Sequence, residues 1–246
     1  MRESLAAHLP LVAAHRGASR FAPENTMASF QKAVALGARA IELDVRLTAD
    51  DEVVVVHDHG LRRTTTGQGQ VGDRTWSEVR ALDAGSRFDS AFADERVPRL
   101  DDVLSWAKDR VWLNIELKPA TGDDGRLARR VVDVVRDLSM TDGCLVMSFD
   151  HVAVEAAKAM APEILGLVIA GARLAREIAY LQSIGADGSN HSPLWWTAES
   201  CEAFRVAGLL SHASLVNDAA VWRQALLNGL DMVDSDEPAI YGAGAL

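Results

Sequence analysis

Two acidic residues lie two positions apart in a stretch whose pattern predicts a β-strand. In residues 40–46, three apolar residues alternate with three charged ones, a period typical of a strand with two unlike faces. Glu42 and Asp44 therefore project from the same face. Adjacent carboxylates repel each other, so a positive charge is expected between them, and a divalent cation is the natural candidate. The alternative is a strand face that is exposed to water.

Further residues able to titrate or to bind an anion follow other apolar runs. His15 and Arg16 end a short run near the beginning of the chain, and His57 follows four consecutive valines. Glu116 and Lys118 alternate with apolar residues in a third run, so both fall on one predicted strand face. The side chains that could transfer protons or bind an anion therefore lie at the ends of predicted strands.

The elements that must position these residues alternate along the chain. Predicted strands and helices follow one another about eight times, which is typical of a parallel sheet with its crossover helices outside. Right-handed crossovers in one direction close such a sheet into a (β/α)8 TIM barrel, an α/β fold. A doubly wound open sheet is the alternative, but its usual Gly-x-Gly-x-x-Gly fingerprint is absent from the sequence. Residues 58–99 form a loosely patterned connection after the third predicted strand, as in a lid or binding insertion.

Composition excludes several classes of protein. The chain has 246 residues and 48% hydrophobic content, which predicts one soluble domain over residues 1–246. A net charge of −10 argues against nucleic acid as the main partner. Cys144 and Cys201 lie far apart and are expected to be buried free thiols. No segment is long enough to span a bilayer, and residues 1–12 do not resemble a signal peptide, so we expect a cytoplasmic protein without stable membrane insertion.

In a barrel of this kind, the carboxyl ends of the strands share one rim, so side chains from several strands converge there. Three carboxylates, Glu42, Asp44 and Glu116, favour a hard cation such as Mg²⁺ or Ca²⁺. Arg16 offers a planar fork that suits phosphate oxygens, and Lys118 offers a point charge. The predicted site therefore holds one divalent cation and accepts an anionic small molecule.

The histidines extend this interpretation to a reaction. His15 and His57 suit a reaction in which a proton is removed at one end and delivered at the other. Phosphodiester cleavage needs a base for the attacking hydroxyl, an acid for the leaving alcohol and a cation on the phosphoryl oxygens. A small-molecule phosphodiester is therefore the expected substrate.

A series of short motifs resembles the glycerophosphodiester phosphodiesterase family. Each motif is weak alone, but their order and spacing together are specific. In chain order they are His15-Arg16-Gly17, Pro23-Glu24-Asn25-Thr26, Glu42-x-Asp44, His57-Asp58, Leu61-Arg62-Arg63-Thr64-Thr65-x-Gly67-x-Gly69, Glu116-x-Lys118 and Asp236-x-Pro238.

The resemblance implies a (β/α)8 barrel with a small inserted subdomain after the third strand, here about residues 58–99. It implies metal-dependent hydrolysis of glycerophosphodiesters to glycerol 3-phosphate and an alcohol such as choline or ethanolamine. In the family, the glycerol hydroxyl of the substrate is thought to attack phosphorus, giving a cyclic phosphate that water then opens.

The resemblance also implies a role for each site residue. Glu42, Asp44 and Glu116 would hold Mg²⁺ or Ca²⁺. The acid–base pair would be His15 and His57. Arg16 and Lys118 would bind the phosphate, and Glu24 is expected to pair with Arg16 and hold its fork.

One motif departs from the family pattern. The family usually carries Trp-Thr-Val-Asn on the seventh strand, and this chain reads Ser214-Leu215-Val216-Asn217. The tryptophan would form a wall of the glycerol side of the pocket. Phe149, Trp195 or Trp196 could replace it, although core packing or loop anchoring is the expected role of each.

Two other functions are compatible with the same fold. A phosphodiesterase of the phospholipase D type acting on lysophospholipids would need an apolar access face, and residues 58–99 are mostly polar. A non-catalytic phosphate-binding barrel should lack one member of the acid–base pair, and both histidines are present. The sequence leaves open the metal, the preferred alcohol, the order in which the histidines act and the oligomeric state.

Overall fold

The computed structural model describes residues 9–238, and these form nine strands. The strands are, in chain order, β1 (Leu11–His15), β2 (Ala40–Leu47), β3 (Val53–Val55), β4 (Trp112–Leu117), β5 (Cys144–Ser148), β6 (Leu165–Ile169), β7 (Gly188–His191), β8 (Leu210–Ala213) and β9 (Met232–Ser235). All strands except β3 pair in parallel, from β2 through β4 to β9, and β1 pairs with both β9 and β2 to close the barrel. The predicted (β/α)8 TIM barrel is therefore confirmed.

Helices occupy the connections between the strands. They are α1 (Met27–Ala35), α2 (Trp76–Val79), α3 (Leu100–Ala107), α4 (Arg126–Asp137), α5 (His151–Met160), α6 (Glu177–Ser183), α7 (Ala198–Val206) and α8 (Ala219–Leu227). None of the helices within residues 9–238 combines the length and the apolar run needed to cross a bilayer.

The third strand differs from its predicted role. The valine run was expected to supply one of the first four barrel strands, but β3 pairs antiparallel with β2 and lies outside the parallel barrel. The reason is the connection between β2 and β3, which is five residues long, whereas a parallel crossover needs a dozen or more. Glu116 therefore lies on the third barrel strand. β3 returns the chain to the rim, where the Val56 amide donates to the Asp44 carbonyl at 2.9 Å.

Residues 58–99 contain α2 and two short 3₁₀ turns, at Val71–Asp73 and Ser90–Phe92. Their apolar side chains form a small cluster with those of Val54 and Val56. The assignment of this segment as an inserted subdomain stays a prediction, as does the cytoplasmic location.

The side chains inside the barrel are apolar at one end and charged at the other. Side chains at i and i+2 on a strand point the same way, so Ala40, Glu42 and Asp44 of β2 all face inward. Apolar side chains, including Leu11 and Trp112, fill the end where the strands begin. Buried charged side chains take their place at the end where the strands finish. The acidic residues therefore lie at one rim of the barrel, and the barrel interior below them is filled by apolar side chains.

Candidate active site

Strand register brings three carboxylates together. Asp44 on β2 lies directly beside Glu116 on β4, and Glu42 lies two residues earlier on the same face as Asp44. One carboxylate oxygen from each residue lies within 4.8 Å of the other two, and all three residues are buried. The convergence predicted for these residues is therefore observed.

The three carboxyl groups differ in their electrostatics. Burial, together with the charge of Asp44, raises the pKa of Glu42 well above its usual value. The same two causes raise the pKa of Glu116 to about 7, although Lys118 opposes them. Burial would also raise the pKa of Asp44, but the charges of Arg16 and Lys118 more than offset it and lower that pKa. The cluster thus has more negative charge than its neighbours neutralise.

This donor set fits a hard divalent cation. Within residues 9–238, the Oε1 atom of Glu42 is buried and has neither a hydrogen-bond partner nor an ion pair. The Lys118 ammonium lies 2.6 Å from Glu116 Oε1 and 3.3 Å from Asp44 Oδ1. Convergent carboxylate oxygens, one of them unsatisfied, are the ligands that Mg²⁺ and Ca²⁺ prefer.

Arg16 is held by carboxylates on three sides. Its Nη1 donates to Glu24 Oε1 at 3.0 Å, and its Nε lies 3.2 Å from Asp44 Oδ2. Its backbone amide donates to Glu42 Oε2 at 3.0 Å. The predicted pairing of Glu24 with Arg16 is confirmed, and it fixes the guanidinium beside the acidic cluster.

His15 is oriented by an acidic residue from the end of the chain. Its Nδ1 lies 2.7 Å from Asp236 Oδ1, and its Nε2 lies 3.9 Å from Glu42 Oε2. Asp236 also accepts hydrogen bonds from Ser19 and Asn217. With the Asp236 carboxylate on Nδ1, Nε2 is the ring nitrogen that faces the acidic cluster.

His57 has a similar arrangement with its neighbour in sequence. Its Nδ1 lies 2.6 Å from Asp58 Oδ1, and its carbonyl oxygen accepts from Arg46 Nε at 2.8 Å. Burial lowers the pKa of His57, although the charge of Asp44 opposes this. Each histidine of the site thus has a carboxylate on Nδ1.

Sequence reasoning missed Arg46, which lies on the same face of β2 as Glu42 and Asp44. Arg46 is buried, and besides its bond to His57 it donates from Nη1 to the Lys118 carbonyl at 3.1 Å. It therefore ties two site residues from different elements to one strand. The period-two pattern that selected the two acids contained the signal for this third residue.

Asn25 contacts the acidic cluster, although its neighbour Thr26 is the N-cap of α1. Asn25 instead donates from Nδ2 to Asp44 Oδ2 at 2.8 Å and accepts from the Asp44 amide at 3.2 Å. The side chain fixes one carboxylate of the acidic cluster rather than a helix end.

Ser214, which follows the seventh barrel strand (β8), contacts a second group of buried polar side chains, Asp234 and His212. The Ser214 hydroxyl donates to Asp234, which also pairs with His212 Nε2 at 3.0 Å. Of the three aromatic residues that could replace the family tryptophan, Trp196 is buried and donates to the His212 carbonyl. Phe149 is 59% exposed, and its ring centroid lies 5.8 Å from the Lys118 ammonium. Of these aromatic side chains, Phe149 therefore lies against the site, at Lys118.

A cleft of about 450 Å³ opens at this rim beside Lys118. Its lining includes Arg46, His59, Glu116 and Phe149. A larger cavity of about 580 Å³ lies at the opposite end of the barrel, among Arg39, Trp112 and neighbouring residues. The smaller cleft is lined by Glu116 and Lys118, so it opens directly beside the acidic cluster.

Comparison with known proteins gives a consistent result. Residues 15–240 match the model of the glycerophosphoryl diester phosphodiesterase family. A glycerophosphodiester phosphodiesterase of Bacillus altitudinis is 31% identical over 229 residues, covering 92% of this chain and 94% of that protein. The enzyme of the same name from Caldanaerobacter subterraneus is 41% identical over 160 residues, 64% of this chain and 66% of that protein.

A solved structure extends the agreement to three dimensions. A phosphodiesterase of Oleispira antarctica, in complex with the product sn-glycerol-3-phosphate, superposes with a TM-score of 0.90 at 32% identity. The match covers 96% of both chains. By family model, sequence and fold together, the chain belongs to the glycerophosphoryl diester phosphodiesterase family.

Proposed function

We propose that this enzyme hydrolyses glycerophosphodiesters to sn-glycerol 3-phosphate and an alcohol, with one divalent cation and two histidines. The observation that carries the proposal is the buried group of three carboxylates with the unsatisfied Glu42 Oε1, flanked by two histidines. The product bound to the Oleispira antarctica relative supports the choice of substrate.

Glu42, Asp44 and Glu116 would hold the cation, Mg²⁺ or Ca²⁺. A bound cation supplies positive charge to the phosphoryl oxygens in the transition state. Arg16 and Lys118 bring two fixed positive charges to the same place. In this proposal, the planar guanidinium of Arg16 donates hydrogen bonds to the phosphate, and the Lys118 ammonium neutralises the charge on another phosphate oxygen.

The histidines move the protons. With Nδ1 held by a carboxylate, the Nε2 atom of each ring is free to accept or donate a proton. One histidine takes the proton from the glycerol hydroxyl as its oxygen bonds to phosphorus, and the other gives a proton to the alcohol that leaves. Water then opens the cyclic phosphate to glycerol 3-phosphate, with the two histidines in the opposite roles. Asp236 and Asp58 stabilise the charged imidazolium that forms on His15 and His57.

The test is an assay for released glycerol 3-phosphate with glycerophosphocholine as substrate. We expect turnover to stop on addition of EDTA and to return when Mg²⁺ or Ca²⁺ is restored. A lysophospholipid offered in parallel separates this function from the phospholipase D-like alternative. Turnover that survives EDTA, or that occurs on the lysophospholipid alone, contradicts the proposal.

Two substitutions test the assignment of the site. We expect Glu42→Ala and His15→Ala each to abolish hydrolysis while the protein still folds, because one removes a metal ligand and the other a proton carrier. Glu155→Ala, at an exposed position on α5, is the matched control and should turn over like the wild type. Normal turnover by either site variant would show that the roles are wrongly assigned.

A further inference from the structure

Arg63, in the segment that follows β3, joins two carboxylates that come from different parts of the chain. Its Nε and Nη2 donate to Asp58 at 2.6 and 3.0 Å. Its Nη1 and Nη2 donate to Glu24 at 2.6 and 2.8 Å. One guanidinium thus makes two bidentate contacts, although Arg63 itself is 45% exposed and does not belong to the buried carboxylate cluster.

Each of these carboxylates also holds one residue of the proposed mechanism. Asp58 holds the His57 ring through Nδ1, and Glu24 holds Arg16 through Nη1. An unbroken series of contacts therefore runs from the ring of His57 to the guanidinium of Arg16, with Arg63 at its centre.

We propose that Arg63 is a positioning residue that aligns the proton-carrying His57 and the phosphate-binding Arg16 with each other. The inference rests on the proposed function, because it concerns the residues that bind the phosphate and move the proton. It assigns a role to a residue in residues 58–99, the segment that lies outside the barrel.

The chemistry of the contacts explains why this position needs arginine. Two carboxylates held close together repel each other unless a cation lies between them. The planar guanidinium satisfies both at once with fixed angles, whereas a lysine ammonium would act as a single point charge. Hydrogen bonds from Arg63 lower the pKa of Asp58, and they help to lower that of Glu24 against the effect of burial. Both carboxylates therefore stay ionised and keep accepting from His57 and Arg16.

The first test compares Arg63→Ala with two other variants. We expect Arg63→Ala to lower kcat/KM by about 10- to 100-fold, the usual effect of losing a partner that orients a site residue. Arg63→Lys should recover only part of this loss. Arg62→Ala is the matched control, since Arg62 is the exposed neighbouring arginine and makes no ion pair within residues 9–238.

The second test separates the two ends of the series. Glu24→Gln should mainly raise KM, because Glu24 holds the phosphate-binding Arg16. Asp58→Asn should mainly lower kcat, because Asp58 holds His57. Arg63→Ala should do both, and combining it with either variant should cost much less than the sum of the two single effects. A merely structural role of Arg63 would not give this coupling.

A third measurement does not depend on activity. In metal-free protein, hydrogen exchange at residues 57–64 should be faster in Arg63→Ala than in Arg62→Ala, since the contacts of Asp58 and Glu24 are lost. If Arg63→Ala does not fold, Arg63→Lys takes its place in the kinetic and coupling measurements, and additivity of Arg63→Lys with both Glu24→Gln and Asp58→Asn would overturn the role of Arg63.

The outcomes distinguish the inference from the proposed function. A wild type that does not hydrolyse glycerophosphodiesters refutes the proposed function. An active wild type whose Arg63→Ala variant stays within twofold of it, or whose loss disappears after correction for the folded fraction, overturns the role of Arg63 alone.

Discussion

Two buried acidic residues on one strand have pKa values that are shifted in opposite directions. Glu42 and Asp44 are both fully buried and lie two positions apart on β2. Asp44 faces Arg16 and Lys118, which keep its pKa low, whereas burial and the charge of Asp44 raise the pKa of Glu42. The side chains around Asp44 therefore neutralise it, whereas within residues 9–238 no lysine or arginine side chain forms an ion pair with Glu42.

The two cysteines give a prediction about pH. Burial raises the pKa of Cys144 to about 12, and burial with the charge of Asp231 raises that of Cys201 to about 11. Only the thiolate reacts with disulfide reagents, and a free cysteine is half ionised near pH 8.5. We therefore expect neither thiol of the native protein to react with a disulfide reagent at pH 8.5.

Both thiols should react at the same pH after unfolding in urea, which serves as the control. Raising the pH of the native protein should increase labelling of Cys201 before that of Cys144, because its pKa is the lower. Rapid labelling of the folded protein at pH 8.5 would show that these thiols are not buried as described.

At the residue scale, the sequence predicts reactive groups better than it predicts their partners. His57 and its carboxylate are neighbours, so the pair could be seen in the motif. His15 and Asp236 are separated by 221 residues, and they meet only because β9 pairs with β1 when the barrel closes. Such contacts depend on closure geometry, which no local pattern contains.

At the scale of elements, the turn after β1 controls how α1 approaches the site. Gly17 has φ +81°, and a Cβ at this position would lie 2.4 Å from Ser29 Oγ and 2.7 Å from the Ser29 carbonyl carbon. The Ser29 hydroxyl in turn donates to the Arg16 carbonyl at 2.9 Å. The helix therefore packs directly on the backbone that presents Arg16.

We expect Gly17→Ala to lower the free energy of unfolding by about 1–3 kcal/mol, because it combines overpacking with a strained φ. It should also raise KM, since Arg16 would be displaced. Urea unfolding and steady-state kinetics measure the two effects.

Gly37→Ala is the control for this prediction. Gly37 has φ +90° but nothing within 4 Å of an added Cβ, so this variant should show only the cost of the positive φ and a normal KM. Equal effects of the two variants on KM would contradict the proposed contact between the helix and the turn.

Strand existence could be predicted from the sequence, but the direction of β3 could not. Four valines in a row indicate a strand covered on both faces, and this pattern is the same for parallel and antiparallel pairing. The length of the preceding connection carries the missing information, because residues 48–52 are too few for a crossover. The five-residue loop therefore indicates that β3 is not a barrel strand and that Glu116 lies on the third barrel strand.

Across the whole molecule, the groups that stabilise the fold are separated from the groups proposed to react. The largest apolar cluster lies between the strands and the helices outside them. The carboxylates and histidines lie at the rim where the strands end. A substitution in the outer layer should therefore reduce stability without changing the chemistry.

Leu104 and Leu227 provide a matched pair for this test, because both lie on helices of the outer layer. Leu104 on α3 is fully buried, and Leu227 on α8 is 73% exposed. We expect Leu104→Ala to lower the free energy of unfolding by about 2–5 kcal/mol through lost burial and a cavity, and Leu227→Ala to change it by about 0.5 kcal/mol or less. Well below the unfolding temperature, both variants should keep the wild-type kcat and KM. A change in kcat for folded Leu104→Ala would show that the outer layer, and not the rim alone, sets the geometry of the carboxylates and histidines.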